Sequence, residues 1–173
     1  TFHDGSDFTA EDVAYTVEVR RTSLLKNFTA SIDRVEVVDP HTVKIVTKAP
    51  TAILLESLAA LRILPKAYRT KLGETAFNQA PVGTGPYVFV EWVKEDHIAM
   101  KANEQYWGGA PKIKKVTFRP ISNAATRTAA LLTGEVDIIE DVPVRDVDKL
   151  KNTEGLSVVD RPSERLIYLH VDS

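Results

Sequence analysis

The sequence predicts an α/β or α+β fold made of antiparallel hairpins with helices between them. Alternating apolar runs that face each other across short polar turns indicate the hairpins, and apolar residues at helical spacing behind threonine or asparagine caps indicate the helices. A chain of 173 residues with 43% hydrophobic and 27% charged content has room for one domain or two small ones.

The elements follow in order. Thr9 caps the first helix, Asp12 stands where a carboxylate answers a capping threonine, and Phe8 with Val13 forms a hydrophobic staple. Ala10, Val13, Ala14 and Val17 share one face, so a helix from Ala10 to Arg21 packs on a core. Beyond a polar loop at Leu25 to Thr29, Val35 and Val37 face Val43 and Ile45 across Asp39-Pro40-His41-Thr42, where proline suits the second position of a type I turn. Thr51 caps a short apolar helix through Leu58, and a buried extended piece, Leu61 to Leu64, ends at Pro65. Lys66 to Gln79 reads as polar helix, and Pro81, Gly83, Gly85 and Pro86 break it. A boundary there divides the chain into a small α/β subdomain, 1–80, and part of a central sheet domain, 81–173. Tyr87 to Val93 alternates as a strand, and Lys94-Glu95-Asp96-His97 turns it back into a second strand through Met100. Ile113 to Ile121 alternates again. Ser122 or Asn123 caps a helix Ala124 to Thr133, which Gly134 stops in a left-handed conformation. Short strands are expected at Val136 to Ile139, Leu156 to Val159 and Leu166 to Val171, with a helix near Val144 to Leu150.

Composition and motifs exclude several functions. A net charge of −2 and a pI near 6.1 argue against nucleic acid as a partner, since phosphate neutralisation needs a clustered basic excess. Lys112, Lys114 and Lys115 read as a solvated strand edge. Without cysteine there is neither a disulfide framework nor a thiolate metal site. No apolar run reaches the ~18 residues that span a bilayer, and Thr1 opens without the basic and apolar regions of a signal peptide, so the chain reads as cut from something longer. GxSxG, HExxH, Walker and EF-hand patterns are missing. Gly83-Thr84-Gly85 has Val88 where a dinucleotide fingerprint needs its third glycine, and reads as a turn entering a strand. His3, His41, His97 and His170 never fall at helical metal-ligand spacing, and Glu140 and Asp141 lie on alternate sides of an extended segment rather than as a catalytic pair. No catalytic residue, metal site or cofactor is expected.

Five blocks point to a family: FHDGSDFTAEDVAYTVE from Phe2, PVGTGPYVFVEW from Pro81, NEQYWGGAPKIKKVTFRPI from Asn103, TAALLTGEVDII from Thr128 and RPSERLIYLHVDS from Arg161. Together they resemble the large bacterial extracellular solute-binding proteins, family 5, which serve peptide, nickel and related ABC importers. The resemblance implies a lobe of the type II periplasmic-binding-protein fold, with a mixed sheet, hairpins and flanking helices. It implies the first-lobe portion of a longer protein, with an export signal or lipoprotein leader upstream and a second lobe downstream. The partners implied are a small solute (oligopeptide, nickel chelate, opine or sugar) and an ABC permease in the membrane. The location implied is the periplasm, or the extracellular side with a lipid anchor in a Gram-positive source. A peptide-binding sensor or chaperone-like module, and a hydrolase using Asp and Glu, are the competing readings, because fold alone does not separate them.

Candidate site residues follow from the same two sources. Arg62 lies in the apolar run ALRILP, where an unpaired arginine is costly, so it needs a carboxylate partner or an anionic ligand. In relatives this segment approaches the cleft, which makes Arg62 the first candidate for gripping a ligand carboxylate. Ser163, Glu164 and Arg165, leading into Tyr168, form the second, because the corresponding strand runs along the cleft; the loop Leu25 to Thr29 is the third. Tyr106 and Trp107 are expected to plug the underside of the sheet, and Arg127 to tie its helix to a loop by a salt bridge or bidentate hydrogen bonds. A strand at Ile167 to Val171 that lost its cover would expose apolar surface and favour self-association.

Overall fold

The structure, a computed structural model, describes residues 1–161, so the strand expected at Leu166 to Val171 lies outside the described residues. The chain divides into two compact units, Thr1–Arg119 and the residues from Pro120 onward.

The first unit is organised by helix α1 (Ala10–Arg21). The Asp12 carboxylate accepts from the Thr9 N–H at 2.8 Å and the Thr9 hydroxyl at 3.0 Å, the local half of the expected cap. Its other oxygen accepts from the Lys66 N–H at 2.8 Å, 54 residues away in sequence. One turn on, the fully buried Thr16 hydroxyl donates to the Asp12 carbonyl at 2.7 Å and accepts from the Leu64 N–H at 2.8 Å. Two inward polar groups thus hold the extended segment 61–66 against the helix. The Ala10 N–H donates to the Pro40 carbonyl at 2.8 Å, which ties the start of α1 to the turn of the first hairpin.

That hairpin is β1 (Ile32–Asp39) and β2 (Thr42–Thr47), paired antiparallel around Pro40-His41 as the turn chemistry predicts. Val17, Ile32 and Leu61 form the core of the unit, with Val35, Ile45, Leu54 and Leu58 packed against it. Burying each large aliphatic side chain there contributes about 1.5–3 kcal/mol. The register slips around Asp33, and the Asp33 carbonyl takes a hydrogen bond from the Arg21 guanidinium at 2.6 Å.

Two helices differ from expectation. Helix α2 runs Leu54–Ala60 with Ile53 at its N-cap, because Thr51 to Ile53 is spent in a turn and Thr51 caps nothing. The single helix expected over 66–79 is two, α3 (Lys66–Leu72) and α4 (Glu74–Gln79). Gly73 separates them with φ +80, a conformation other L-residues avoid. Phe77 of α4 packs edge-on against Tyr68 of α3, ring centroids 6.1 Å apart.

A three-stranded antiparallel sheet follows in the order β3 (Tyr87–Val93), β4 (His97–Ala102), β5 (Lys115–Phe118). Every strand pair among the described residues is antiparallel. β5 is shorter than the alternation from Ile113 to Ile121 implies. The Pro81 to Pro86 segment lies within the first unit, where the His3 N–H donates to the Gly83 carbonyl at 2.8 Å.

In the second unit, the Asn123 side chain caps α5 (Ala124–Leu132) by accepting from the Thr126 N–H at 2.9 Å. Gly134, φ +72, ends it as expected while the Glu135 N–H returns to the Ala130 carbonyl at 2.8 Å. Helix α6 (Val144–Lys151) sits close to the expected place and buries Leu150. Residues 136–139 and 156–159 are not strands. No described strand pairs with them, and Ile138 and Val159 stay exposed, so the apolar runs there had no ladder to join.

Replacing Asp12 by alanine removes the cap and leaves the Lys66 N–H without its acceptor. Urea unfolding should show a loss of about 3 kcal/mol. A loss below about 1 kcal/mol would show that segment 61–66 is held by apolar contact alone.

Candidate functional site

Arg62 is exposed, contrary to the expectation of burial. Leu61 and Leu64 are buried on either side of Arg62, which faces solvent, and the guanidinium donates to the Ala60 carbonyl at 2.9 Å. The cost of a buried unpaired charge therefore does not arise. Ser163, Glu164, Arg165 and Tyr168 lie outside the described residues. In the loop Leu25 to Thr29, Thr29 is buried and its hydroxyl donates to the Lys26 carbonyl at 3.1 Å, ending a 3₁₀ turn over Lys26–Thr29.

A pair of arginines that sequence reasoning passed over stands closer to a ligand site. Arg20, in the last turn of α1, and Arg69, on α3, line a pocket of about 330 Å³ together with Val19, Leu64, Glu74 and Phe77. Arg69 donates to the Tyr15 hydroxyl at 2.9 Å and pairs with Glu74 at 3.3 Å. The Arg20 Nε is buried and has no hydrogen-bond partner among the described residues. Burial, and then the neighbouring charges of Arg69 and Arg62, hold the Arg20 guanidinium below its ordinary pKa, with Glu74 acting in the opposite direction. The signal was present in the sequence, since residues 13, 17 and 20 continue one inward stripe of α1.

The glycine-rich motifs prove to be scaffold. The Gly85 carbonyl accepts from the His3 Nε2–H at 2.9 Å and from the Asn103 side-chain amide at 3.2 Å, so Gly83-Thr84-Gly85 is a tethered turn entering β3. In the Tyr106-Trp107-Gly108-Gly109 turn each glycine has its own cause. A Cβ at Gly108 would lie 2.7 Å from the Tyr106 ring, and Gly109 has φ +95. Trp107 does not plug the sheet as expected; it is 84% exposed, with its ring 5.1 Å from that of Tyr106. Lys112, Lys114 and Lys115 are solvated as expected, and Lys114 pairs with Glu104 at 2.9 Å.

Arg127 ties helix to loop, but through carbonyls rather than a carboxylate. Its guanidinium donates to Ile121 at 2.8 Å, Glu140 at 3.0 Å and Asp141 at 2.9 Å. Asp141 holds φ +52, which lets two successive carbonyls face the same guanidinium. On the β3–β4 hairpin, His97 Nδ1 lies 2.7 Å from Asp96 and Nε2 lies 3.4 Å from Glu91. The hydrogen bond to Asp96 and then that to Glu91 raise the imidazole above its ordinary 6.5. No group of three or more His, Asp or Glu among the described residues is arranged to hold a metal ion.

The profile of the family described as bacterial extracellular solute-binding proteins, family 5 Middle, matches residues 1–172. The glutathione-binding protein GsiB of Pectobacterium atrosepticum is 36% identical over 184 aligned positions, which cover 98% of this chain and 35% of GsiB. The structure of AgaA from A. tumefaciens R10 in complex with agropinic acid superposes with a TM-score of 0.81 at 31% identity, covering 89% of this chain and 33% of AgaA. NikZ from Campylobacter jejuni in complex with Ni(L-His) superposes with a TM-score of 0.79 at 31% identity, covering 88% and 32%. The chain thus spans about a third of the length of these relatives.

Two outcomes test these assignments. Arg127→Lys keeps the charge but cannot bridge three carbonyls, and should cost about 1–2 kcal/mol with faster amide exchange around 140–141; exchange unchanged from wild type would remove Arg127 as the tie. Protonated His97 donates to both carboxylates, so its stabilisation is full below pH 6.5 and fades as pH rises through the raised folded value. The Tm advantage of wild type over His97→Gln should therefore be larger at pH 6 than at pH 8, and a pH-independent difference would show that the triad is not ionic.

Proposed function

The chain belongs to family 5 of the bacterial extracellular solute-binding proteins, and we propose that it serves as the solute-binding part of an ABC import system, handing a small solute to a membrane permease. The match over residues 1–172 is the observation that carries this reading. The fold is that of a type II periplasmic-binding-protein lobe, mixed α and β with small antiparallel sheets. In the proposed mechanism the solute is enclosed between this lobe and a second one, and its greater affinity for the closed arrangement shifts the open-to-closed equilibrium. Binding alone accomplishes the task, with no bond made or broken. Under this reading the protein works in the periplasm or outside the cell; no helix among the described residues is long and apolar enough to cross a membrane.

The solute we favour is a small carboxylate-bearing molecule such as a peptide, an opine or a nickel chelate. Glutathione, agropinic acid and histidine, the ligands named for the relatives, all carry carboxylates. Arg62 remains the first proposed contact and Ser163, Glu164, Arg165 and Tyr168 the second. Its exposure suits Arg62 to this role, because a guanidinium held only by the Ala60 carbonyl has donors left for a ligand.

Calorimetry on the full-length protein with glutathione, di- and tripeptides, opines and Ni(L-His) should find saturable binding of at least one, with the ligand recovered unchanged. Failure of all of them, or release of a product, would overturn the reading. Arg62→Ala should leave stability within about 0.5 kcal/mol, as at other exposed sites. It should weaken a carboxylate solute by about 2 kcal/mol, roughly thirtyfold; unchanged affinity would take Arg62 out of the site.

A further inference from the structure

The pocket between the last turn of α1 and helix α4 has no part in that reading, yet it holds the least satisfied cation among the described residues. The Arg20 Nε is buried without a hydrogen-bond partner, and no ion pair relieves it. A buried donor left unmet costs about 1–3 kcal/mol, and more when it is charged. The C-terminal end of α1 favours a positive side chain and accounts for the position of Arg20. It does not supply an acceptor for Nε.

The surroundings add to the imbalance. Arg69 and Arg62 both press their charge on Arg20, and the opposing carboxylate is Glu74, which is bound to Arg69 at 3.3 Å. Arg20 thus has two cationic neighbours and one carboxylate neighbour that is already paired. Thr22, Ser23 and Asn78 bring further polar groups to the wall, while Val19, Leu64 and Phe77 make an apolar floor. At about 330 Å³ the pocket is larger than a bare oxyanion needs and has room for a short organic body.

We propose that this pocket is a second ligand site, in which Arg20 and Arg69 bind the carboxylate or phosphate group of a small organic anion whose body rests on Leu64 and Phe77. The planar fork of arginine matches both oxyanions in a bidentate geometry, and both guanidinium side chains line the pocket. Occupancy would brace α1 against α4 within the first unit, so anion binding and the stability of that unit are linked.

Thermal unfolding of the full-length protein in sodium phosphate and in sodium succinate, each against sodium chloride at matched ionic strength, tests this. Tm should climb with the concentration of at least one of the two anions, and the stronger response tells phosphate chemistry from carboxylate chemistry. Arg20→Met should abolish that response while leaving the affinity for the transported solute at the wild-type level. In chloride alone it should raise Tm, because the substitution removes a buried donor that has no acceptor. Glu74→Gln, which removes the competing carboxylate, should strengthen the response severalfold and decides the matter if Arg20→Met fails to fold. The proposal is overturned if neither anion acts beyond chloride, if Arg20→Met responds like wild type, or if Glu74→Gln weakens the response. Loss of solute affinity in Arg20→Met would make this pocket part of the transport site and overturn its standing as a second one.

Discussion

The Asp12 carboxylate and the Thr16 hydroxyl, one helical turn apart, hold the first unit in register. Apolar contact between α1 and the segment 61–66 is non-directional and leaves the exact placement of Leu61 and Leu64 loosely defined. The hydrogen bonds from the Leu64 and Lys66 N–H groups fix it. With Lys66 fixed at the start of α3, Arg69 arrives one turn later beside Tyr15, and Glu74 follows across the Gly73 break. The charge arrangement around Arg20 thus descends from two buried polar groups. Burying them is costly in isolation, and the direction of their bonds is what the fold gains.

Where the causes were local, they were legible in the sequence. Thr9 and Asp12 announced α1, Pro40 the first hairpin, and Asn123 with Gly134 both ends of α5, since each signal and its effect lie within a few residues. Features that depend on a distant partner were not legible. The apolar runs at 136–139 and 156–159 look like strands until one asks what they pair with. ALRILP looks buried throughout, yet only its leucines and proline are buried, against α1 and the core, while Arg62 faces solvent. Gly73 lies inside the stretch expected as one helix, and its positive φ splits that helix. Arg20 continues an inward stripe of α1, but a helix C-terminus favours arginine in any case, so residue type alone does not mark it.

The arginines show why residue type alone says little about role. Arg127 donates to three backbone carbonyls and ties helix to loop. Arg21 spans Glu18 and the Asp33 carbonyl and fastens α1 to β1. Arg69 divides itself between Tyr15 and Glu74. What sets Arg20 apart is the absence of any acceptor where one is needed, a property of its surroundings that no motif could carry.

The same contrast governs the motifs. GTGPY and YWGGAP identify the family, and each is accounted for by backbone geometry: a carbonyl tethered by His3 and Asn103, a Cβ clash with Tyr106, a positive φ at Gly109. Such constraints are indifferent to the solute, and GsiB, AgaA and NikZ differ by name in what they bind. Contacts that select a solute are subject to the opposite pressure, and belong on exposed side chains that can change without disturbing the backbone. Arg62, proposed above as the first solute contact, is exposed in this way. The sequence features that make this chain easy to place in its family are for that reason the ones least able to say which solute it takes.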